Sequence, residues 1–168
     1  SNMAWQSDTY EWGTMYLAIR QANTAIENLP TATFDNQELK DKLMGEAHFL
    51  RGFYYHQLLR FYGGVPLIEN SYGLNQDYEV TRNTFEECVN FITADLDKAT
   101  QLLDGKPQVS GRASKLAAMA LKARVLLYAA SDLHDATKVA EESSTLNGFA
   151  NKELVMYTSG SQAARMQA

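Results

Sequence analysis

Ala47-His48-Phe49-Leu50-Arg51-Gly52-Phe53-Tyr54-Tyr55 and Ala120-Leu121-Lys122-Ala123-Arg124-Val125-Leu126-Leu127-Tyr128 decide the fold, because both read Ala-x-x-x-Arg-x-x-x-Tyr and stand 73 residues apart. Four-residue spacing puts the three marked positions on one side of a helix. The same shift carries Leu43 onto Leu116 and Phe53 onto Leu126. Upstream it carries Trp12 onto Phe85, Ile19 onto Ile92, Ile26 onto Ala99 and Leu29 onto Leu102. Two helix pairs matched without a gap predict an all-α, tetratricopeptide-like helical repeat superhelix. Each pair has two apolar faces and buries both only by stacking on a neighbour. The spacing is about twice the ~34-residue unit of that class, and a long loop supplies the excess.

Working outward, the first helix follows Asp8 and Glu11, which have capping-box spacing. Its expected inward stripe is Trp12, Met15, Tyr16, Ile19, Ala22, Asn23 and Ile26, and Leu29-Pro30 ends it. Asp35 and Glu38 open the second helix, with Leu39, Leu43, Ala47, Leu50, Tyr54, Leu58 and Phe61 expected inward. Phe49 and Phe53 give it a second apolar side, so a cover on two sides is predicted. Gly63-Gly64 and Pro66 stop it. From Val65 to Arg82 no period survives, and a long loop is expected. Thr84 and Glu87 cap a third helix with Phe85, Cys88, Val89, Ile92, Leu96, Ala99 and Leu103 inward, ended by Gly105 and Pro107. A fourth helix spans about 113–131 and a short fifth about 136–144. Residues 153–157 read as a strand or a frayed end, within an irregular C-terminal segment.

Composition narrows the function. The chain has 168 residues, 45% hydrophobic and 21% charged, which suits one folded domain. Its net charge of -5 comes with no basic block, so the electrostatic footprint of a nucleic-acid binder is missing. Cys88 stands alone and reads as a buried, inert thiol. No apolar run approaches the ~18 residues of a membrane span. Ser1-Asn2 ahead of Met3 reads as a protease scar left by expression.

Catalytic patterns are weak. His48 and His56 lie eight apart, and Glu46 and His48 point to different faces of a helix, so neither pair makes a metal site. Neither a phosphate loop nor a nucleophile elbow is found. Asp95 and Asp97 read as a solvated face rather than a glycosidase dyad. Arg51 and Arg124 are expected to pair with carboxylates or helix-end carbonyls, with Glu46 offered to one of them. Asn23, on an apolar stripe, is expected to satisfy a backbone group. The chain therefore reads as a non-enzyme with no cofactor and no metal.

Several segments resemble the SusD/RagB family. Tyr16-Leu17-Ala18-Ile19-Arg20-Gln21-Ala22-Asn23 is similar to its first helix. Gly45-Glu46-Ala47-His48-Phe49-Leu50-Arg51-Gly52-Phe53-Tyr54-Tyr55 resembles its Gly-Glu-Ala-x-Phe-Leu-Arg signature, and Phe61-Tyr62-Gly63-Gly64-Val65-Pro66-Leu67 its helix exit. Arg82-Asn83-Thr84 with Asp95-Leu96-Asp97-Lys98-Ala99 resembles the next cap and helix. Gly111-Arg112-Ala113-Ser114-Lys115-Leu116 and Ala123-Arg124-Val125-Leu126-Leu127-Tyr128 resemble the one after. The resemblance implies an outer-membrane, lipid-anchored, surface-facing protein that hands oligosaccharides or other nutrients to a SusC-like TonB-dependent transporter. On that reading residues 1–168 are a single helical domain, either a fragment or a compact member. The competing expectation is a tetratricopeptide-like scaffold that binds a protein and no sugar.

Sugar capture needs aromatic faces for pyranose C–H surfaces and amides or carboxylates for hydroxyls. Trp5, ahead of the first helix, and Tyr72, Asn75, Asp77 and Tyr78, in the long loop, are the ligand-binding candidates. Loops on rigid scaffolds favour such roles. Trp12 is expected in the core.

Overall fold

A computed structural model of the chain describes residues 11–71 and 79–160. Four long helices follow one another: α1 Trp12–Asn28, α2 Gln37–Tyr62, α3 Phe85–Leu102 and α4 Lys115–Ala129. Two short helices, α5 Ala136–Glu142 and α6 Ser144–Asn147, and 3-10 turns at Asp132–His134 and Lys152–Leu154 complete the described chain. In packing order α2 lies between α1 and α3, and α3 between α2 and α4, so two hairpins stack as repeat units. The architecture is all-α and tetratricopeptide-like.

The first helix of each unit keeps the expected register. In α3, Thr84 and Glu87 form a complete capping box, and Phe85, Cys88, Val89, Ile92, Leu96, Ala99 and Leu103 are all buried. In α1, Met15, Ile19, Ala22 and Asn23 are buried, but Trp12 is 39% exposed, tilted at 45° against Tyr16 and edge-on to Tyr62. Trp12 is therefore not a core residue. It sits in the first turn, where α1 begins beside the end of α2. The residue before α1 is Glu11, whose side chain makes no cap bond, and Asp8 falls outside the described residues.

The second helices depart from expectation. Asn36, not Asp35, caps α2, accepting from the amides of Glu38 and Leu39. Leu39, Leu50 and Phe61 of the expected stripe are exposed, and Gly45, Glu46, His48, Arg51, Gly52, Tyr55, His56 and Gln57 are buried instead. Polar side chains, most of them hydrogen-bonded, fill much of the interior, so the inward arc lies rotated from one drawn through apolar residues alone. The cover on two sides is observed. Contact with α3 is so close that a Cβ on Gly45 would lie 2.8 Å from Leu103 Cγ.

In α4 the buried residues are Ala118, Leu121, Val125 and Ala129, while Ala120 and Arg124 of the repeat motif are exposed and Tyr128 is half-buried. Arg51 and Arg124 thus occupy unrelated surroundings. The reason is asymmetric cover: α2 has a neighbour on two sides, whereas α4 is packed chiefly on α3. The repeat holds in helix order and in the first helices, and fails in register at the second.

The C-terminal segment folds back. Ala136 donates to Tyr157 O at 3.1 Å and Tyr157 to His134 O at 2.9 Å, making one isolated parallel bridge between Asp135 and Tyr157. Residues 152–154 form a 3-10 turn rather than a strand. Among the described residues no helix is long and apolar enough to cross a membrane.

Candidate functional site

The long segment after α2 is built upward from its base. Gly63 ends α2 with φ 73°, a conformation that favours glycine. Gly64 then passes so close to the incoming strand of chain that a Cβ would stand 2.1 Å from Asn83 O. This approach lets Asn83 donate its amide to Val65 O at 3.2 Å and accept from the Leu67 amide through Oδ1 at 3.0 Å. Arg82 adds Nε to Gly64 O at 2.7 Å and Nη2 to Tyr62 O at 2.5 Å. The two ends of the excursion are pinned side by side.

Helices α1 and α2 hold its first half. Tyr16 donates to Pro66 O at 2.7 Å, and Asn23 donates to Ile68 O at 2.8 Å. The Tyr55 hydroxyl takes the Ile68 amide at 2.7 Å and reaches Ile68 O at 3.2 Å. Burial drives the phenol pKa of both tyrosines upward, so both stay neutral donors. Glu27 accepts from the Ser71 amide at 2.6 Å and from its hydroxyl, and these bonds hold its carboxyl below the usual range.

Beneath this strap lies a buried ionic network. Arg51 donates Nε to Asp95 Oδ2 at 2.7 Å and Nη2 to Asp95 Oδ1 at 2.8 Å, a two-pronged pair. His48 Nδ1 donates to the same Oδ1 at 2.8 Å. The remaining Arg51 Nη1 reaches Asn23 Oδ1 at 2.9 Å and, more loosely, Glu69 O at 3.4 Å. Burial would raise the Asp95 carboxyl, but the bonds from Arg51 and His48 outweigh it and hold the group below its ordinary value. Asp95 is 2% exposed, which corrects the expectation of a solvated Asp95–Asp97 face. Only Asp97 is solvated, bonded to Lys122. Arg51 pairs with Asp95 and not with Glu46, whose partner is Arg112. Asn23 satisfies a backbone carbonyl as expected, and Cys88 is buried against Val65 with its thiol pushed up to about 11.

All five ligand candidates, Trp5, Tyr72, Asn75, Asp77 and Tyr78, lie outside the described residues. What the structure does show is the frame around them, which fixes Ser71 on Glu27 and pins Arg82 and Asn83 to residues 62–67. Sequence reasoning missed Asn83, Arg82 and Glu27 as its clamps. Their targets are mostly main-chain atoms, which leave no residue signature. Beside this base stands Trp12, half open to solvent, with Tyr62 edge-on at 5.1 Å. A separate groove of about 310 Å³ runs between α1 and α2, lined by Ala18, Gln21, Ala25, Leu43, Leu50 and Tyr54 among others.

Residues 1–127 match the model of a SusD-like family described as "Starch-binding associating with outer membrane". The chain belongs to the SusD-like family. This SusD-like chain is 33% identical to SusD-like protein P38 of Formosa agariphila over 76% of its own length and 25% of that relative. Among solved structures, it superposes on a SusD-like protein of Bacteroides fragilis with TM-score 0.68 and 31% identity, covering 92% of this chain and 34% of that one. A surface glycan-binding protein A from Bacteroides fluxus matches with TM-score 0.61 and 27% identity, over 81% of this chain and 29% of that one. The SusD-like chain therefore spans about a quarter of the length of the curated relatives it matches. The family is described as associating with the outer membrane, and another relative of solved structure from Bacteroides fragilis is described as a SusD-like carbohydrate binding protein.

Proposed function

We propose that residues 1–168 form the helical domain of a nutrient-binding protein that captures a glycan without chemical change at a bacterial outer membrane. The observation that carries this reading is family membership, joined to an excursion after α2 whose base is clamped by α1, α2 and its own returning residues Arg82 and Asn83. Such a base holds a binding loop at low entropic cost, since its ends need no further ordering when ligand arrives. In this reading Trp5, Tyr72 and Tyr78 offer aromatic faces to sugar C–H surfaces, and Asn75 and Asp77 bind hydroxyls. Trp12 extends the aromatic surface beside the same base. The full-length protein would be lipid-anchored, face outward, and pass its ligand to a SusC-like TonB-dependent transporter.

Calorimetry of the chain against a panel of oligosaccharides tests the proposal. A sugar that binds, and loses at least tenfold affinity with Trp5→Ala or Tyr72→Ala, supports it. Binding of no sugar, or binding unchanged in both variants, refutes the assignment of the site. A second reading, a scaffold that binds protein and no sugar, is favoured by the apolar groove between α1 and α2 and by the exposed Leu50 at its edge. Leu50→Glu would abolish that interaction and leave sugar affinity unchanged.

A further inference from the structure

Two buried histidines stand outside the network described above. His134, in the turn before α5, stacks on Phe85 with ring centroids 4.5 Å apart and planes within 18°. On its other side Tyr128 packs at 4.5 Å. His56 approaches the same Tyr128 edge-on at 6.1 Å, so one tyrosine separates two imidazoles. Val155 O can only accept, so the His134 Nδ1 within 2.7 Å of it carries the proton. That leaves His134 Nε2 as a bare lone pair, and it is buried with no hydrogen-bond partner among the described residues. His56 is buried with neither ring nitrogen partnered. Both sites accept a neutral ring, and neither offers an acceptor for the added proton of an imidazolium.

What His134 holds is the returning C-terminal segment. Its ring fixes Val155, its carbonyl takes the Tyr157 amide, and Tyr157 lies edge-on to the same Phe85 at 5.5 Å. One turn earlier, Leu154 O accepts the Gly64 amide at 2.5 Å, at the base of the long excursion. From this geometry we infer that His134, backed by His56, is an acid-sensitive clasp: neutral rings dock residues 152–157 on the start of α3 and the Gly63–Gly64 turn, and protonation releases them while the α1–α3 stack stays folded.

The surrounding charges act in the required direction. Arg60 on α2 and Arg124 on α4 face His56, and with burial, the larger cause, they depress its pKa to about 4. Burial likewise lowers that of His134, outweighing the opposing effect of its hydrogen bond to Val155 O. The other titratable groups in contact are Tyr128 and Tyr157, neutral in acid, and the neighbouring Asp135, whose carboxylate caps α5 through the amides of Thr137 and Lys138. The stack is secured separately, since the Arg51–Asp95 pair lies between α2 and α3 and involves neither histidine.

Hydrogen exchange of the 168-residue chain at pH 7.0 and pH 4.5, corrected for intrinsic rates, tests this. Protection of the Gly64, Ala136 and Tyr157 amides should fall at least tenfold at the lower pH, while Ile92 in α3 keeps its protection. His134→Gln with His56→Leu should remove the pH dependence of the first three. Equal protection at both pH values, or loss of Ile92 protection in parallel, overturns the inference. If the variant does not fold, ring titration of the unaltered chain by NMR decides: midpoints below 6 coinciding with the loss of protection support the clasp, and midpoints at or above 6.5 overturn it.

Discussion

Asp95→Leu isolates the worth of the buried network. The substitution removes the acceptor of three hydrogen bonds, two from Arg51 and one from His48, and leaves a guanidinium in the interior without its counter-charge. Hydrogen bonds to charged groups are worth roughly 1.5–3 kcal/mol each. Part of that is returned because the carboxylate no longer has to be desolvated and leucine adds apolar burial. A buried pair broken on one side costs about 3–5 kcal/mol. With a urea slope near 2 kcal/mol/M, the unfolding midpoint should fall by about 2 M. Arg51→Met alone should cost a similar amount. The double variant Arg51→Met/Asp95→Leu removes both charges, and should sit within about 2 kcal/mol of the unaltered chain instead of losing the sum. Equilibrium urea unfolding followed by far-ultraviolet circular dichroism measures all four proteins. A single-variant loss under about 1 kcal/mol, or strict additivity in the double, would refute the reasoning that these charges are mutually dependent and fully buried.

His56→Leu should stabilise the chain, by about 1–2 kcal/mol at pH 7, because it replaces two unpartnered buried nitrogens with apolar surface. The gain should widen as pH falls from 6.5 toward 4, since the unfolded imidazole takes up a proton in that window and the folded one, at about 4, resists it; thermal melts across the range report the slope. Gly64→Ala should cost about 2–3 kcal/mol by driving a methyl into Asn83 O, read as a lowered urea midpoint, whereas Gly105→Ala, strained but with open space around it, should cost less. Cys88 should stay unreactive toward a thiol reagent at pH 8 until denaturant exposes it, because burial against Val65 keeps it protonated; rapid labelling of the folded chain would contradict this.

Helix positions were legible where local rules suffice. Thr84 and Glu87 announce α3, and its seven apolar inward residues follow from a 3.6-residue period, although Asp95 is buried on the same helix and breaks that stripe. In α2 the same counting held at Ala47 and Leu58 but not elsewhere, since Glu46, His48 and Arg51 are inside and Leu39 and Phe61 outside. Whether a charged residue is buried depends on its partner, and Asp95 stands 44 positions from Arg51. The excursion after α2 was visible as a break in periodicity, and Asn23 as a polar residue on an apolar stripe. Its clamps at Arg82 and Asn83 were not visible, since a main-chain oxygen looks the same in every sequence. The gapless shift of 73 misled at Arg124 for a related reason: identical letters do not carry identical neighbours.

Pro66, Ile68, Gly64 and Tyr62 are all gripped by their carbonyls, through Tyr16, Asn23, Tyr55 and Arg82. A grip on carbonyl oxygens constrains the path of the chain and is nearly indifferent to which side chains travel along it. The mount and the cargo are therefore separately heritable: residues between the clamps can be exchanged without renegotiating the helices that carry them.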